Sequence, residues 1–191
     1  PHIVTKADVN GDGIPDLVVA TFAKHVLSIL LGKGDGGFSE AREVPVGRFP
    51  HYVGVGDWNG DGRQDLAVVC AGEDAVFILQ GDGTGGLRQT DTLPTGWNPH
   101  GLTVADVNGD GFADLMVSTR SSGELFVFLG DGKGGFVARP PIRVNQDIIA
   151  LAAADFDRDG KVDLALVSAS HNSLVMLRGD GTGSFSTFSK P

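Results

Sequence analysis

Four nonapeptides hold most of the reactive side chains in this chain. They read Asp8-Val-Asn-Gly-Asp-Gly-Ile-Pro-Asp16, Asp57-Trp-Asn-Gly-Asp-Gly-Arg-Gln-Asp65, Asp106-Val-Asn-Gly-Asp-Gly-Phe-Ala-Asp114 and Asp155-Phe-Asp-Arg-Asp-Gly-Lys-Val-Asp163. The shared pattern is D-x-[DN]-x-D-G-x-x-D. Side-chain oxygens alternate at positions 1, 3 and 5, and the glycine at 6 permits a sharp turn. Position 7 offers a backbone carbonyl and position 9 a last carboxylate. Such a set suits a hard cation: Ca²⁺ takes six to eight oxygens in flexible geometry, whereas Mg²⁺ demands a stricter octahedron. No His or Cys lies in the loops, which disfavours zinc. Two carboxylates 4 Å apart repel by about 4 kcal/mol at an effective dielectric near 20, so clusters of them call for a cation. A plain Asx turn between strands is the competing reading. Four copies in one register weigh against it. The loops are not EF-hands, because position 12 is Val19, Val68, Val117 or Leu166 and strand, not helix, follows.

The loops recur because the whole chain repeats. Asp8, Asp57, Asp106 and Asp155 are each 49 residues apart, as are Gly32, Gly81, Gly130 and Gly179. Asp8, Asp12, Gly13, Asp16, Leu17, Gly32, Gly34 and Gly36 are identical in all four copies, which span 1–49, 50–98, 99–147 and 148–191. Each copy reads as four strands. The first, at 3–7 in copy one, precedes the loop; the second, from Leu17, follows it; the third spans 26–31; a weaker, more polar fourth spans 39–46. Strands two and three are apolar at nearly every position, so both faces call for burial. No segment has helical periodicity. A four-stranded unit of this length, repeated, predicts an all-β propeller with one blade per copy and a single domain over 1–191. A parallel β-helix has much shorter coils.

The loop, its trailing Asp-Leu and apolar strand, and then Gly32-Lys-Gly-Asp-Gly-Gly-Phe38 resemble FG-GAP/VCBS-type repeats, similar to the calcium-binding blades of the integrin alpha-chain head. The resemblance implies one Ca²⁺ per blade and up to four in all. In copy one the ligands would be Asp8, Asn10, Asp12, the Ile14 carbonyl and Asp16. The matching sets are Asp57, Asn59, Asp61, Arg63 and Asp65; Asp106, Asn108, Asp110, Phe112 and Asp114; and Asp155, Asp157, Asp159, Lys161 and Asp163. Copy four departs at Asp157 and Arg158 and is still expected to bind. Repeats of this kind serve as platforms for unrelated tasks, so the resemblance says little about activity.

Composition narrows the field further. The net charge of −9 argues against nucleic acid and anionic membranes, and no apolar run is long enough to span a bilayer. One cysteine, Cys70, excludes a disulfide scaffold. The glycine run at 32–37 fits G-x-G-x-x-G, but it recurs as a hairpin turn and lacks the helix that would hold a pyrophosphate. No carboxylate pair recurs outside the loops, and Glu40, Glu43, Glu73 and Glu124 are the only glutamates. No enzyme chemistry is expected. Pro-His pairs place His2, His51 and His100 at the start of three first strands, where they either gather at one channel mouth or serve the strand locally. Phe49 and Trp97, in the connections between copies, either stack on a ligand or plug the seams. The chain therefore reads as a secreted or cell-surface binding or adhesion module for a protein or glycan. It would close alone, pair as a homodimer into an eight-bladed ring, or form part of a larger chain. The alternative is a polysaccharide lyase or hydrolase, or the non-catalytic propeller of one. The loops carry 13 of the 24 acids and 3 of the 15 bases, a net −10, leaving +1 elsewhere. Four bound Ca²⁺ would bring the protein close to neutrality.

Overall fold

The computed structural model describes residues 1–188. Among them the chain is all-β, with four antiparallel sheets, no α-helix and one 3₁₀ turn at Phe22–Lys24. Among the described residues no helix is long and apolar enough to cross a membrane. The chain divides into two compact units, Pro1–Pro94 and a second beginning at Thr95, each built of two repeats.

In the first unit one sheet runs in the order β1 (Ile3–Ala7), β2 (Asp16–Thr21), β3 (Val26–Leu30), β4 (Arg42–Pro45). The next repeats it as β5 (Pro50–Gly56), β6 (Asp65–Cys70), β7 (Ala75–Gly81) and β8 (Leu87–Pro94). Each strand pairs with its sequence neighbour, so every sheet is a meander that closes its ladder locally. Val18, Ala20, Leu27 and Ile29 of the first sheet pack on Leu66, Val68, Cys70 and Leu79 of the second. Every residue of β6 is buried, as its unbroken apolar run requires. Each such Val, Leu or Ile contributes about 1.5–3 kcal/mol on leaving water.

The second unit holds β9 (Pro99–Ala105), β10 (Asp114–Thr119), β11 (Glu124–Gly130), β12 (Phe136–Ala138) and β13 (Ile142–Arg143), then β14 (Ile148–Ala154), β15 (Asp163–Ser168), β16 (Ser173–Gly179) and β17 (Phe185–Thr187). Here the fourth strand of the third repeat is split: β12 and β13 both pair with β11, separated by Pro140 and Pro141, which have no N–H to offer the ladder. Met116, Leu125 and Val127 pack on Ile148, Leu164, Leu166 and Leu177. The expectation of two buried faces fails on one side of the last sheet. Val167 and Leu174, paired across β15 and β16, are 42% and 62% exposed, while their repeat-mates Ser118 and Leu125 are fully buried.

Candidate metal centres in the repeat loops

The first two strands of each sheet deliver the acidic loop as the link between them, and local hydrogen bonding folds it. In loop one Asp8 accepts the amides of Asp12 (3.2 Å, Oδ1) and Gly13 (2.9 Å, Oδ2), Asn10 Oδ1 accepts Asp12 N–H (3.2 Å), and Asp12 Oδ1 accepts Ile14 N–H (2.7 Å). These Asx turns draw the oxygens of positions 1, 3 and 5 around one centre. Gly13, Gly62, Gly111 and Gly160 each have φ between 79° and 87°, the left-handed region that other residues resist. Loops two and three repeat the pattern around Asp57 and Asp106. In loop four the carboxylates of Asp155, Asp157 and Asp159 bring ligand atoms within 4.8 Å of one another.

Position 9 behaves differently. Asp16, Asp65, Asp114 and Asp163 are buried, at 0–1% exposure. One oxygen of Asp16 accepts Val9 N–H (2.9 Å) and the other accepts Gly32 N–H (2.8 Å). The other three repeat this pair of bonds. The carboxylate thus staples the loop to the end of the third strand. Burial, then the amide bonds working the other way, then the like charges of the neighbouring loop aspartates leave the carboxyls of Asp65 and Asp114 above their ordinary range. A dication in the loop would offset those repulsions. The donors are all oxygens, in a ring that retains unused lone pairs, so the residues fit a hard cation. The carbonyls of Ile14, Arg63, Phe112 and Lys161 belong to the same turns; of their side chains, Arg63 reaches the ring of its own loop, with Nη1 3.9 Å from Asp61.

The Pro-His residues occupy the opposite ends of the first strands. His51 and His100 are the residues inserted at β-bulges, flanked by register shifts between Pro50 and Tyr52 and across Ser118/Thr119. Ile149 takes the same place in the last repeat. In the first unit His2 Nδ1 donates to His51 O (3.2 Å), and the two rings meet edge-on with centroids 4.3 Å apart. Phe22 stacks on Phe49 at 4.7 Å, and His25 meets Phe49 edge-on at 5.0 Å while accepting its N–H. His2, Phe22, His25, Phe49 and His51 thus form one ring-lined patch. In the second unit His100 Nδ1 donates to Ile149 O at 2.9 Å, and Trp97 is 70% exposed. Trp58, by contrast, is buried in the core.

A model of the FG-GAP-like repeat matches residues 8–68, 57–117 and 108–166, each match running from one acidic loop through the next and into the strand that follows it. The chain belongs to the FG-GAP-like repeat family. No curated protein matches it. Among solved structures it is similar to a protein from Lactobacillus plantarum (TM-score 0.76, 17% identity, 99% of this chain and 56% of that one). It is also similar to BBS1N in a complex with ARL6DN (0.68, 19%, 96% and 54%) and to the V. cholerae biofilm matrix protein Bap1 (0.55, 19%, 95% and 27%). The FG-GAP chain spans about half the length of the first two. These likenesses establish a propeller-like fold.

Two groupings in this FG-GAP chain escape a reading by motif. Arg178, on β16, reaches into loop four, with Nε 2.8 Å from Asp157 and Nη2 3.0 Å from Asp159. Its repeat-mates are Leu31, Gln80 and Leu129, so a break in register was the available signal. The other grouping surrounds Asp147. Ser168 Oγ donates to it at 2.7 Å, Ser170 Oγ donates to it as well, and His171 Nδ1 lies 3.2 and 2.9 Å from those hydroxyls. In a hydrolase triad the imidazole stands between hydroxyl and carboxylate. Here the hydroxyls stand between, handing their protons to the acid. These bonds hold the Asp147 carboxyl down to about 2. The arrangement ties a turn together.

Proposed function

We propose that the FG-GAP chain is a calcium-loaded, non-enzymatic extracellular binding module. The observation that carries this reading is the fourfold loop, in which every copy folds an oxygen-only donor ring at the same junction. Hard-cation chemistry and millimolar external calcium suit such rings. Calcium held only by the folded chain stabilises it. At 100 times its Kd one ion supplies about 2.7 kcal/mol, which for a chain of this size is roughly 5–10 °C of melting temperature. Chelation with EGTA is therefore expected to lower melting by more than about 10 °C; an unchanged melting curve would reduce the loops to plain turns.

The ligand is proposed to be a protein or a glycan. The exposed Trp97 and the Phe22–Phe49 stack offer flat apolar faces to a sugar or an anchoring side chain. A groove beside loop two, lined by Arg42, Arg63 and Arg88 around Asp82, favours an anionic glycan. Protein partnering has a precedent in the BBS1N complex. A glycan array run with calcium and with EGTA separates the two: calcium-dependent binding to acidic sugars supports the glycan, and a blank array supports a protein. The apolar face bearing Val167 and Leu174 supports pairing with a second copy. A Leu174→Lys protein that sediments like the unmodified one would contradict that pairing.

A further inference from the structure

Loop four is built differently from the other three, and the difference is coordinated across two strands. In loops one to three position 3 is asparagine, whose Nδ2 donates to the position-5 carboxylate: Asn10 to Asp12 at 2.8 Å, Asn59 to Asp61 at 3.1 Å and Asn108 to Asp110 at 2.8 Å. The amide thereby meets the position-5 carboxylate with a donor rather than with a second carboxylate. Loop four has Asp157 at position 3, and a carboxylate has no proton to donate. The missing donor arrives from β16. Arg178 places Nε on Asp157 (2.8 Å) and Nη2 on Asp159 (3.0 Å), spanning positions 3 and 5 with one rigid fork. The three repeat-mates of Arg178 have no charge to offer. The acid gained at position 3 and the base gained on the third strand thus occur together in one repeat and touch.

We propose that loop four carries its own cation: the Arg178 guanidinium neutralises the Asp157–Asp159 pair, so that loops one to three take Ca²⁺ at concentrations that leave loop four without it. The inference rests on the calcium reading above. A metal ion entering loop four must first break a two-pronged, charge-assisted contact; the nearest counterpart, in loop two, is a single 3.9 Å approach of Arg63 to Asp61. Its affinity there is at least about tenfold weaker, equivalent to about 1.4 kcal/mol. The fourth repeat is then held in shape at calcium levels too low to order the rest.

Isothermal titration calorimetry of the full chain with CaCl₂ tests this, using the unmodified protein, Arg178→Gln, and the double variant Asp157→Asn/Arg178→Gln. The double variant reproduces the Asn59 and Gln80 pair of the second repeat and so guards against a single variant that fails to fold. The expected stoichiometry is three for the unmodified chain and four for both variants. Four sites of equal affinity in the unmodified chain, or three in every protein, would overturn the role of Arg178 while leaving the calcium reading intact. No binding in any of them would overturn the calcium reading and this inference with it.

Discussion

Gly81 shows how closely the loop and the glycine turn are fitted. A Cβ added there would lie 2.2 Å from the carbonyl oxygen of Gln64, and at Gly32, Gly130 and Gly179 the same atom would meet Pro15, Ala113 and Val162 at 2.0–2.4 Å. The neighbour is backbone at the loop's end, so it cannot swing aside. The same glycine amides bind the position-9 aspartates. Gly81→Ala is expected to cost about 2–4 kcal/mol, read as a lower urea midpoint. This invariance was visible in the sequence as a period; its cause, a backbone contact between distant segments, was not. Asp147 supports a prediction of a different kind. Hydrogen bonds from Ser170 and Ser168 lower its carboxyl from 3.8 to about 2. The folded value lies below the unfolded one, so the stabilisation is complete above pH 4 and is lost as pH falls towards 2. Asp147→Asn should remove that acid-dependent component, so its stability should fall less steeply than that of the unmodified chain over this window.

At the scale of the element, strand positions were legible because chemistry punctuates them. An acidic loop precedes every second strand, a glycine turn follows every third, and the apolar runs between them have no helical period. The first strand of the chain matches its expected bounds of 3–7. The fourth strands were less legible, since they are polar edges, and one is broken at Pro140 and Pro141, which have no N–H to offer a ladder. The bulges at His51 and His100 were hidden altogether, because a register shift is a relation between two strands. Likewise Arg178 stands out in the sequence as a break in register, but its target is recognisable only once β16 lies beside loop four. Each sheet folds its own loop, and loops one and two meet through the Asp8 N–H donated to Gln64 Oε1 at 2.6 Å rather than through a ligand oxygen, so the sites should behave as nearly independent elements. Asp12→Ala should therefore remove one calcium site, lowering the stoichiometry by one with the remaining affinities within about twofold. A loss of all sites together would show that the loops are coupled.

For the molecule as a whole, the charge of −9 is concentrated in the loops proposed to hold calcium. The loops hold a net −10 and the remaining chain is nearly balanced. Arg178 moves one of those balancing charges onto loop four. Three Ca²⁺ would leave a net charge near −3, low enough to ease self-repulsion while keeping the protein soluble. The fourfold repeat made this economy legible in advance; the two-unit division and the uncovered Val167–Leu174 face depend on packing that no period encodes. Native mass spectrometry at millimolar calcium tests the central claim most directly, since it weighs the folded chain with its ions. The account predicts a dominant species carrying at least three Ca²⁺ per chain, converted by EGTA to the bare mass. A folded chain that stays at its bare mass in millimolar calcium would contradict it.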